Sequence, residues 1–273
     1  MRGFDGNKIW CHLSLKSNDK HTNREIRLSE PAKIGSFMEL VPFVARIANH
    51  NPDFSLFYRG QPKEYLLKSG ATSSYPSIFR SPGNRLTESK LKSRFKLLDD
   101  LSKQLINKLE TLEIEGIDKL KKFQELQWSL LQHYKVCDTP LLDITHSLRV
   151  AASFALNGSS KDGIIYIYAL PHPQGTITYS TEDELLNVRL LSASPFEALR
   201  PHFQEGYLVG TFPKRIDRKQ SSHDVAVRLI AKIQINIHTF WDNNFKAIPE
   251  DALYPANDRI HDACKDLKTK NGL

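Results

Sequence analysis

The sequence is poor in cysteine and lacks long hydrophobic runs. Its three cysteines, Cys11, Cys137 and Cys264, are far apart, and none forms a CxxC pair. This spacing excludes a disulfide framework and favours a reducing compartment. No apolar run approaches the length of a membrane span, and the start "MRGFDGNKIW" has no apolar segment typical of a signal peptide. We therefore expect a cytoplasmic protein with no membrane association.

Several motifs of well-understood chemistry are also missing. The sequence contains no zinc-ligand spacing, no HExxH, no Ser-His-Asp order and no phosphate-binding glycine-rich loop. The sequence therefore predicts no metal site.

The net charge is only moderately positive. The chain has 38 Lys and Arg against 31 Asp and Glu, a formal net charge of +7. Two basic clusters stand out: Lys90, Lys92, Arg94 and Lys96, and Lys214, Arg215, Arg218 and Lys219. Solvated faces are the favoured interpretation of both clusters. Attraction of a polyanion such as nucleic acid is the alternative.

The order of the expected elements predicts an α+β fold. Helical periods cover residues 36–50, 86–109, 118–134, 144–158, 181–191 and 257–270, and strand patterns cover 54–60, 162–170, 206–212 and 224–235. Helices and strands do not alternate as βαβ units, so we expect a mixed or antiparallel sheet flanked by helices in a single compact domain. In the last strand, Arg228, Lys232 and Gln234 alternate with apolar residues, which predicts a half-exposed strand.

The first candidate site follows a short aromatic strand that ends in Arg59, Gly60 and Gln61. The guanidinium of Arg59 matches the geometry of phosphate or carboxylate oxygens. Gly60 allows close approach of a ligand or a positive φ, and the Gln61 amide can donate and accept. A structural ion pair is the simpler interpretation of Arg59.

A second group lies between two buried helices. Asp143, Thr145 and Ser147 suit capping of the helix that follows, or an anion site at its N-terminus. His133 is either a hydrogen-bonded boundary histidine, a donor to a ribose hydroxyl or a general base. Farther along, Gln204 and Glu205 open a strand, where alternation lets only one of them point into a cleft.

At these residues the chain resembles the FRG domain family, named for its (Phe/Tyr)-Arg-Gly motif. The resemblance is carried, in order, by "FYRGQ" at 57–61, "YPSIFR" at 75–80, "LLQHYKVCDTPLLDITHSLRVAASFA" at 130–155, "HFQEGYLVGTF" at 202–212 and "ALYPANDRI" at 252–260. It implies an FRG-like domain over residues 31–273, after an N-terminal extension over 1–30. Two positions depart from the pattern: Lys135 stands where Gly is usual, and Thr139-Pro140-Leu141 lacks a usual Arg.

The resemblance implies a layout similar to that of ADP-ribosyltransferases, with NAD as the cofactor. Arg59 would then hold the diphosphate, His133 or Thr145 would orient the ribose, and Gln204 or Glu205 would support the reacting centre. The ligand-binding residues implied beside them are Tyr58, Gly60, Gln61, Tyr134, Asp143 and Ser147. The expected partner is a nucleotide-like small molecule, with nucleic acid or protein as candidate acceptors.

Two further hypotheses stay open. The same cleft could serve a non-catalytic module that binds a nucleotide or an anionic partner, in the bacterial or phage defence contexts where the family occurs. Alternatively, Arg59 and Asp143 form a buried ion pair that ties the strand to the Ala-rich helix.

Overall fold

A computed structural model describes residues 1–4, 6–81, 86–157, 159, 161–212 and 220–273. The basic cluster predicted at 214–219 lies outside these residues. The helices are α1 (Asn23–Leu28), α2 (Phe37–Asn49), α3 (Glu88–Thr111), α4 (Asp118–Lys122), α5 (Gln124–His133), α6 (Leu148–Leu156), α7 (Leu190–Ala193), α8 (Leu199–Phe203), α9 (Glu250–Leu253) and α10 (Arg259–Lys270). The strands are β1 (Ala32–Ile34), β2 (Ser55–Gln61), β3 (Leu141–Thr145), β4 (Asp162–Leu170), β5 (Ile177–Ser180), β6 (Leu185–Arg189), β7 (Gly206–Thr211) and β8 (Leu229–Asn236).

The described strands form one mixed sheet in the order β1-β8-β4-β2-β3-β7-β6-β5. β1 runs parallel to β8, and the other neighbours are antiparallel. Helices pack against this sheet and enclose two hydrophobic clusters. The predicted α+β fold, with helices flanking a mixed sheet, is confirmed. Within the described residues, no helix combines the length and the apolar character needed to cross a bilayer.

The sheet opens between β2 and β3. β2 pairs with β4 along all of Ser55–Gln61, and β3 pairs with β7 along all of Leu141–Thr145. Within the described residues, however, β2 and β3 are paired only where Tyr58 faces Thr145. Beyond that point the two strands separate, so the sheet divides into two four-stranded parts with a gap between them.

Helix α6 lies very close to β2 and β4. A Cβ atom on Gly60 would lie 1.7 Å from the carbonyl oxygen of Ala151, and one on Gly163 would lie 2.2 Å from that of Ala155. Glycine on both strands and alanine on the helix therefore make this contact sterically feasible. The sequence predicts that Gly60 admits a ligand or adopts a positive φ, but the close approach that it admits is that of α6.

Parts of the N-terminal segment pack onto the sheet. Ile9, Trp10, Cys11 and Ile26 are buried in the same cluster as the central strands β4 and β8. Asn51 fixes this segment further, because its side-chain amide donates to the carbonyl oxygen of Trp10 over 3.0 Å.

Two predictions of local structure are wrong. The segment 181–191, predicted to be a helix, instead begins with a turn and continues as strand β6, and a helix begins only at Leu190. Pairing with β5 and β7 overrides the local helical pattern. Strand β8 is not half-exposed, because Lys232 is only 1% exposed. Arg228, in the 3-10 turn just before the strand, is also 1% exposed.

Distant segments cover those two cations. Arg228 donates to the carbonyl oxygen of Ala169 and to Asp183. Lys232 donates to Glu64 over 2.8 Å, to Thr72 and to the carbonyl oxygen of Ser29. A buried cation with these partners is tolerated, whereas an unpaired one is not.

Candidate functional site

A cavity of about 600 Å³ lies where β2 and β3 separate, and we call it the cleft. Ligand pockets in proteins typically measure roughly 300–1,000 Å³. The cleft brings together eight of the eleven residues singled out from the sequence: Tyr58, Arg59, Gly60, Gln61, His133, Asp143, Thr145 and Gln204. Residues up to 146 positions apart in the chain thus meet in one site.

The remaining three, Tyr134, Ser147 and Glu205, do not line the cleft. Tyr134 is buried, and its hydroxyl donates to Asp258 over 2.7 Å. Burial and the charge of Asp258 raise the pKa of Tyr134. Ser147 is the N-cap of α6, where its hydroxyl accepts from the N–H of Val150. The predicted capping role therefore falls to Ser147, whereas Asp143 and Thr145 lie on strand β3.

Glu205 lies at the turn into β7 with a φ of 45°, and its side chain is exposed. The preceding residue, Gln204, is 8% exposed and lines the cleft. Of the two candidates for the reacting centre, the turn therefore places Gln204 in the cleft.

Arg59 spans the gap between the two parts of the sheet. Its Nη1 donates to the main-chain oxygen of Asp143 over 2.6 Å. Among the described residues, Arg59 forms no ion pair with the Asp143 carboxylate. The hypothesis of a direct Arg59–Asp143 ion pair is therefore wrong in its geometry: the contact is to the backbone. The other N–H groups of Arg59 have no hydrogen-bond partner among the described residues, so they can bind a ligand.

A second arginine, Arg80, lies on the cleft wall. Its Nε donates to the carbonyl oxygen of Tyr75 over 2.7 Å, which fixes the direction of the side chain. The pKa of Arg80 is lowered, mainly by partial desolvation and to a lesser extent by the positive charge of Arg59. Two guanidinium groups close enough to repel each other favour an anion between them.

Asp143 accepts hydrogen bonds from the neighbouring helix. Its Oδ2 accepts from Nε2 of Gln132 over 2.7 Å, and its Oδ1 lies 3.4 Å from Nδ1 of His133. Burial on its own raises the pKa of Asp143. The hydrogen bond and charge of His133, the charge of Arg59 and the Gln132 hydrogen bond outweigh burial and lower it. Asp143 is therefore a carboxylate at neutral pH.

Thr145 and Gln204 connect β3 to the turn before β7. The Thr145 hydroxyl donates to the main-chain oxygen of Gln204 over 2.9 Å and accepts from the N–H of Ser147. Nε2 of Gln204 donates to the carbonyl oxygen of Leu253 over 2.7 Å. These bonds occupy the Thr145 hydroxyl and Nε2 of Gln204, whereas Oε1 of Gln204 has no hydrogen-bond partner among the described residues.

Sequence reasoning missed several residues of the cleft. Arg80 ends the segment "YPSIFR", which carries part of the family resemblance, so a signal for it was present. Lys135 follows α5 with a φ of 55°, in the left-handed region that favours glycine, and it too lines the cleft. Glu250 and Tyr254 enter from the region of α9, and no pattern in the sequence marked them.

The described residues offer no group of three His, Cys, Asp or Glu side chains able to hold a metal ion.

Comparison with protein families gives a match to the FRG domain over residues 55–163. This stretch of the chain is therefore similar to the FRG domain. The matched segment runs from the start of β2 to the start of β4 and includes Arg59, Arg80, His133, Asp143 and Thr145. Gln204 and the resembling segments at 202–212 and 252–260 lie beyond it. Comparisons with curated proteins and with solved structures gave no match.

Proposed function

We propose that the cleft binds a dinucleotide such as NAD, and that the protein cleaves the bond between nicotinamide and ribose as an ADP-ribosyltransferase or an NAD glycohydrolase. The observation that carries this proposal is the pair Arg59 and Arg80 on the wall of a cavity of about 600 Å³. Each guanidinium can form a fork of two hydrogen bonds to phosphate oxygens. A diphosphate fits between two such groups because it carries charge on both of its phosphates.

The aromatic lining supports a nucleotide rather than a simple anion. Tyr58, Tyr65, Phe154 and Tyr254 contribute to the cleft wall. Flat aromatic faces suit the base or the nicotinamide ring. Burial raises the pKa of Tyr58 to about 12, so its hydroxyl remains a donor at neutral pH.

The acidic and amide groups support chemistry at the ribose. Loss of nicotinamide leaves an oxocarbenium-like centre, which a nearby carboxylate or amide oxygen stabilises. Asp143, Glu250 and Gln204 line the cleft and supply such oxygens. Glu205 lies outside the lining, so the role implied for the Gln204–Glu205 pair passes to Gln204.

The direct test is incubation of the folded protein with NAD, followed by measurement of released nicotinamide. We expect release by the unmodified protein and loss of at least about tenfold in kcat/KM with Arg59→Ala, since a charge-assisted bond is removed. Arg46→Ala is the matched control, because Arg46 is an exposed arginine on α2 outside the cleft. If the folded protein neither binds NAD nor releases nicotinamide, the proposal is wrong.

A non-catalytic nucleotide-binding module is the second candidate. It is favoured by the bonds that already occupy the Thr145 hydroxyl and the Gln204 amide nitrogen. Tight binding of NAD or ADP-ribose without turnover would select this alternative. Under either function, Arg59 and Arg80 hold the diphosphate.

A further inference from the structure

We infer that His133 is the proton acceptor of the cleft, and that Gln132 and Thr139 are positioning residues that hold it in one tautomer. The identity of the substrate in this inference rests on the proposed function. The tautomer of the His133 imidazole rests on hydrogen-bond geometry alone.

The chain of hydrogen bonds has a fixed direction because it begins at a backbone amide. The N–H of Leu141 donates to Oγ1 of Thr139 over 3.3 Å. The Thr139 hydroxyl donates in turn to Oε1 of Gln132 over 2.6 Å. The Gln132 amide is therefore oriented with its oxygen toward Thr139 and its NH₂ toward Asp143.

The same series of hydrogen bonds continues to the imidazole of His133. Gln132 donates to one oxygen of Asp143, and the other oxygen lies 3.4 Å from Nδ1 of His133. A carboxylate only accepts hydrogen bonds, so Nδ1 carries the proton. The proton on Nδ1 leaves Nε2 of a neutral imidazole with a free lone pair.

That lone pair accepts no hydrogen bond from the part of the chain that the structure describes. His133 is 8% exposed and lines the cleft, and its Nε2 has no hydrogen-bond partner among the described residues. Nε2 lies on the side of the ring opposite the bond to Asp143. Gly206 packs closely against the ring, since a Cβ there would lie only 3.3 Å from Cε1 of His133. A buried acceptor held in this way is suited to take a proton from a bound ligand or water.

In the reaction, the bond between ribose C1′ and the nicotinamide nitrogen breaks, and its electron pair leaves with nicotinamide. The oxygen of water, or of an acceptor hydroxyl, forms the new bond to C1′. Nε2 of His133 takes the proton from that oxygen and later returns it to solvent. With water, the products are ADP-ribose, nicotinamide and one proton, so atoms and charge balance.

The first test is the tautomer of His133, read from long-range ¹H–¹⁵N correlations of the folded protein without ligand. We expect the neutral imidazole to carry its proton on Nδ1 and to leave Nε2 unprotonated. Thr139→Val and Gln132→Met should weaken this preference and give mixed tautomers. Gln127→Met is the matched control, because Gln127 lies on the same helix and bonds the carbonyl oxygen of Leu120 outside the cleft. A proton on Nε2 in the unmodified protein would overturn the inference, whether or not NAD is a substrate.

The second test is kinetic. We expect His133→Gln to lower kcat for nicotinamide release by about 10²–10⁴-fold while ADP-ribose affinity changes less than about threefold. Gln132→Met should lower kcat in the same direction by a smaller factor, and Gln127→Met should not. An unchanged kcat in His133→Gln would contradict the role of His133 as proton acceptor, but it would not contradict the proposed function. Absence of turnover in the unmodified protein contradicts the proposed function instead, and the tautomer then decides the inference.

Discussion

The guanidinium of Arg59 donates to the main-chain oxygen of Asp143 across the gap between β2 and β3. The two residues lie on strands that separate after the Tyr58–Thr145 pair. This hydrogen bond thus adds a side-chain link between the two parts of the sheet, while the other donors of Arg59 stay available on the cleft wall. The carboxylate of Asp143 is directed instead toward Gln132 and His133. The same pair of residues therefore supports both the fold and the site.

Gly60 should tolerate no larger residue. We expect Gly60→Ala to lower the free energy of unfolding by about 3 kcal/mol or more, because its Cβ would overlap the carbonyl oxygen of Ala151 and force α6 away from the sheet. Gly175→Ala is the control, since a Cβ there would meet no atom within 4 Å. Urea unfolding of both variants measures the difference. Equal stability of the two variants would show that α6 does not pack on Gly60 as described.

Lys135 should lower the stability of the fold through its backbone conformation and favour anion binding in the cleft through its charge. Its φ of 55° costs a non-glycine residue about 1 kcal/mol, so we expect Lys135→Gly to stabilise the protein by about that amount. Lys135→Ala removes the same charge but keeps the unfavourable φ, and it should not stabilise. Thermal unfolding separates the two variants. Both should weaken binding of an anionic ligand, and stabilisation by alanine as well would contradict the backbone explanation.

His146 should make the fold sensitive to acid. Its ring stacks on Tyr207 and contacts Phe57, and burial, followed by the charge of Arg189, lowers the pKa of His146 to about 4. In the unfolded chain a histidine has a pKa of about 6.5. Between pH 4 and this pKa, the unfolded state therefore binds more protons than the folded state. Stability contributed by neutral His146 is therefore complete above about pH 6.5 and is lost as the pH falls toward 4.

His146→Phe keeps an aromatic ring at this position and removes the titration. We expect this variant to lose less unfolding free energy between pH 7 and pH 5 than the unmodified protein, as measured by urea unfolding at each pH. His12 has a similarly lowered pKa, about 4, owing first to burial, so part of the acid sensitivity should remain. An identical pH dependence in the variant would exclude His146 as a contributor.

The stability of the protein should depend on the ion pair between Lys232 of β8 and Glu64. Lys232→Met removes the cationic donor to the Glu64 carboxylate and to the carbonyl oxygen of Ser29, and we expect the free energy of unfolding to fall by about 3–5 kcal/mol. Adding Glu64→Gln should recover part of this loss, because the unpaired charge is removed. Lys33→Met on the exposed face of β1 is the control and should change stability by less than about 0.5 kcal/mol. Strictly additive effects of Lys232→Met and Glu64→Gln would show that the two groups do not interact.

The sequence predicts the parts of the fold that depend on neighbouring residues. The helix that begins after Ser36 has its N-cap there, with the Ser36 hydroxyl accepting from the N–H of Glu39, and the apolar run at 162–170 is the central strand β4. The grouping of Arg59 with Asp143 and Gln204 also follows from the order of the motifs. For the N-cap at Ser36 and for strand β4, the signal lies within a few residues of the feature it predicts.

The features that sequence reasoning missed depend on distant segments. The alternation in β8 predicts exposure of Lys232, but its covering comes from Ser29, Glu64 and Thr72. The role of Gly60 depends on where α6 crosses the sheet, and Glu250 reaches the cleft from almost 200 positions further along the chain. Neither periodicity nor capping encodes such contacts, because they are set by tertiary packing.

The most direct test of the central claim, that the cleft holds a diphosphate between Arg59 and Arg80, is calorimetric titration of ADP-ribose into the folded protein. We expect saturable binding by the unmodified protein and a loss of affinity of at least about tenfold in both Arg59→Ala and Arg80→Ala. Arg46→Ala should bind as the unmodified protein does. Equal affinity in all four proteins, or no binding to the unmodified protein, would contradict the account.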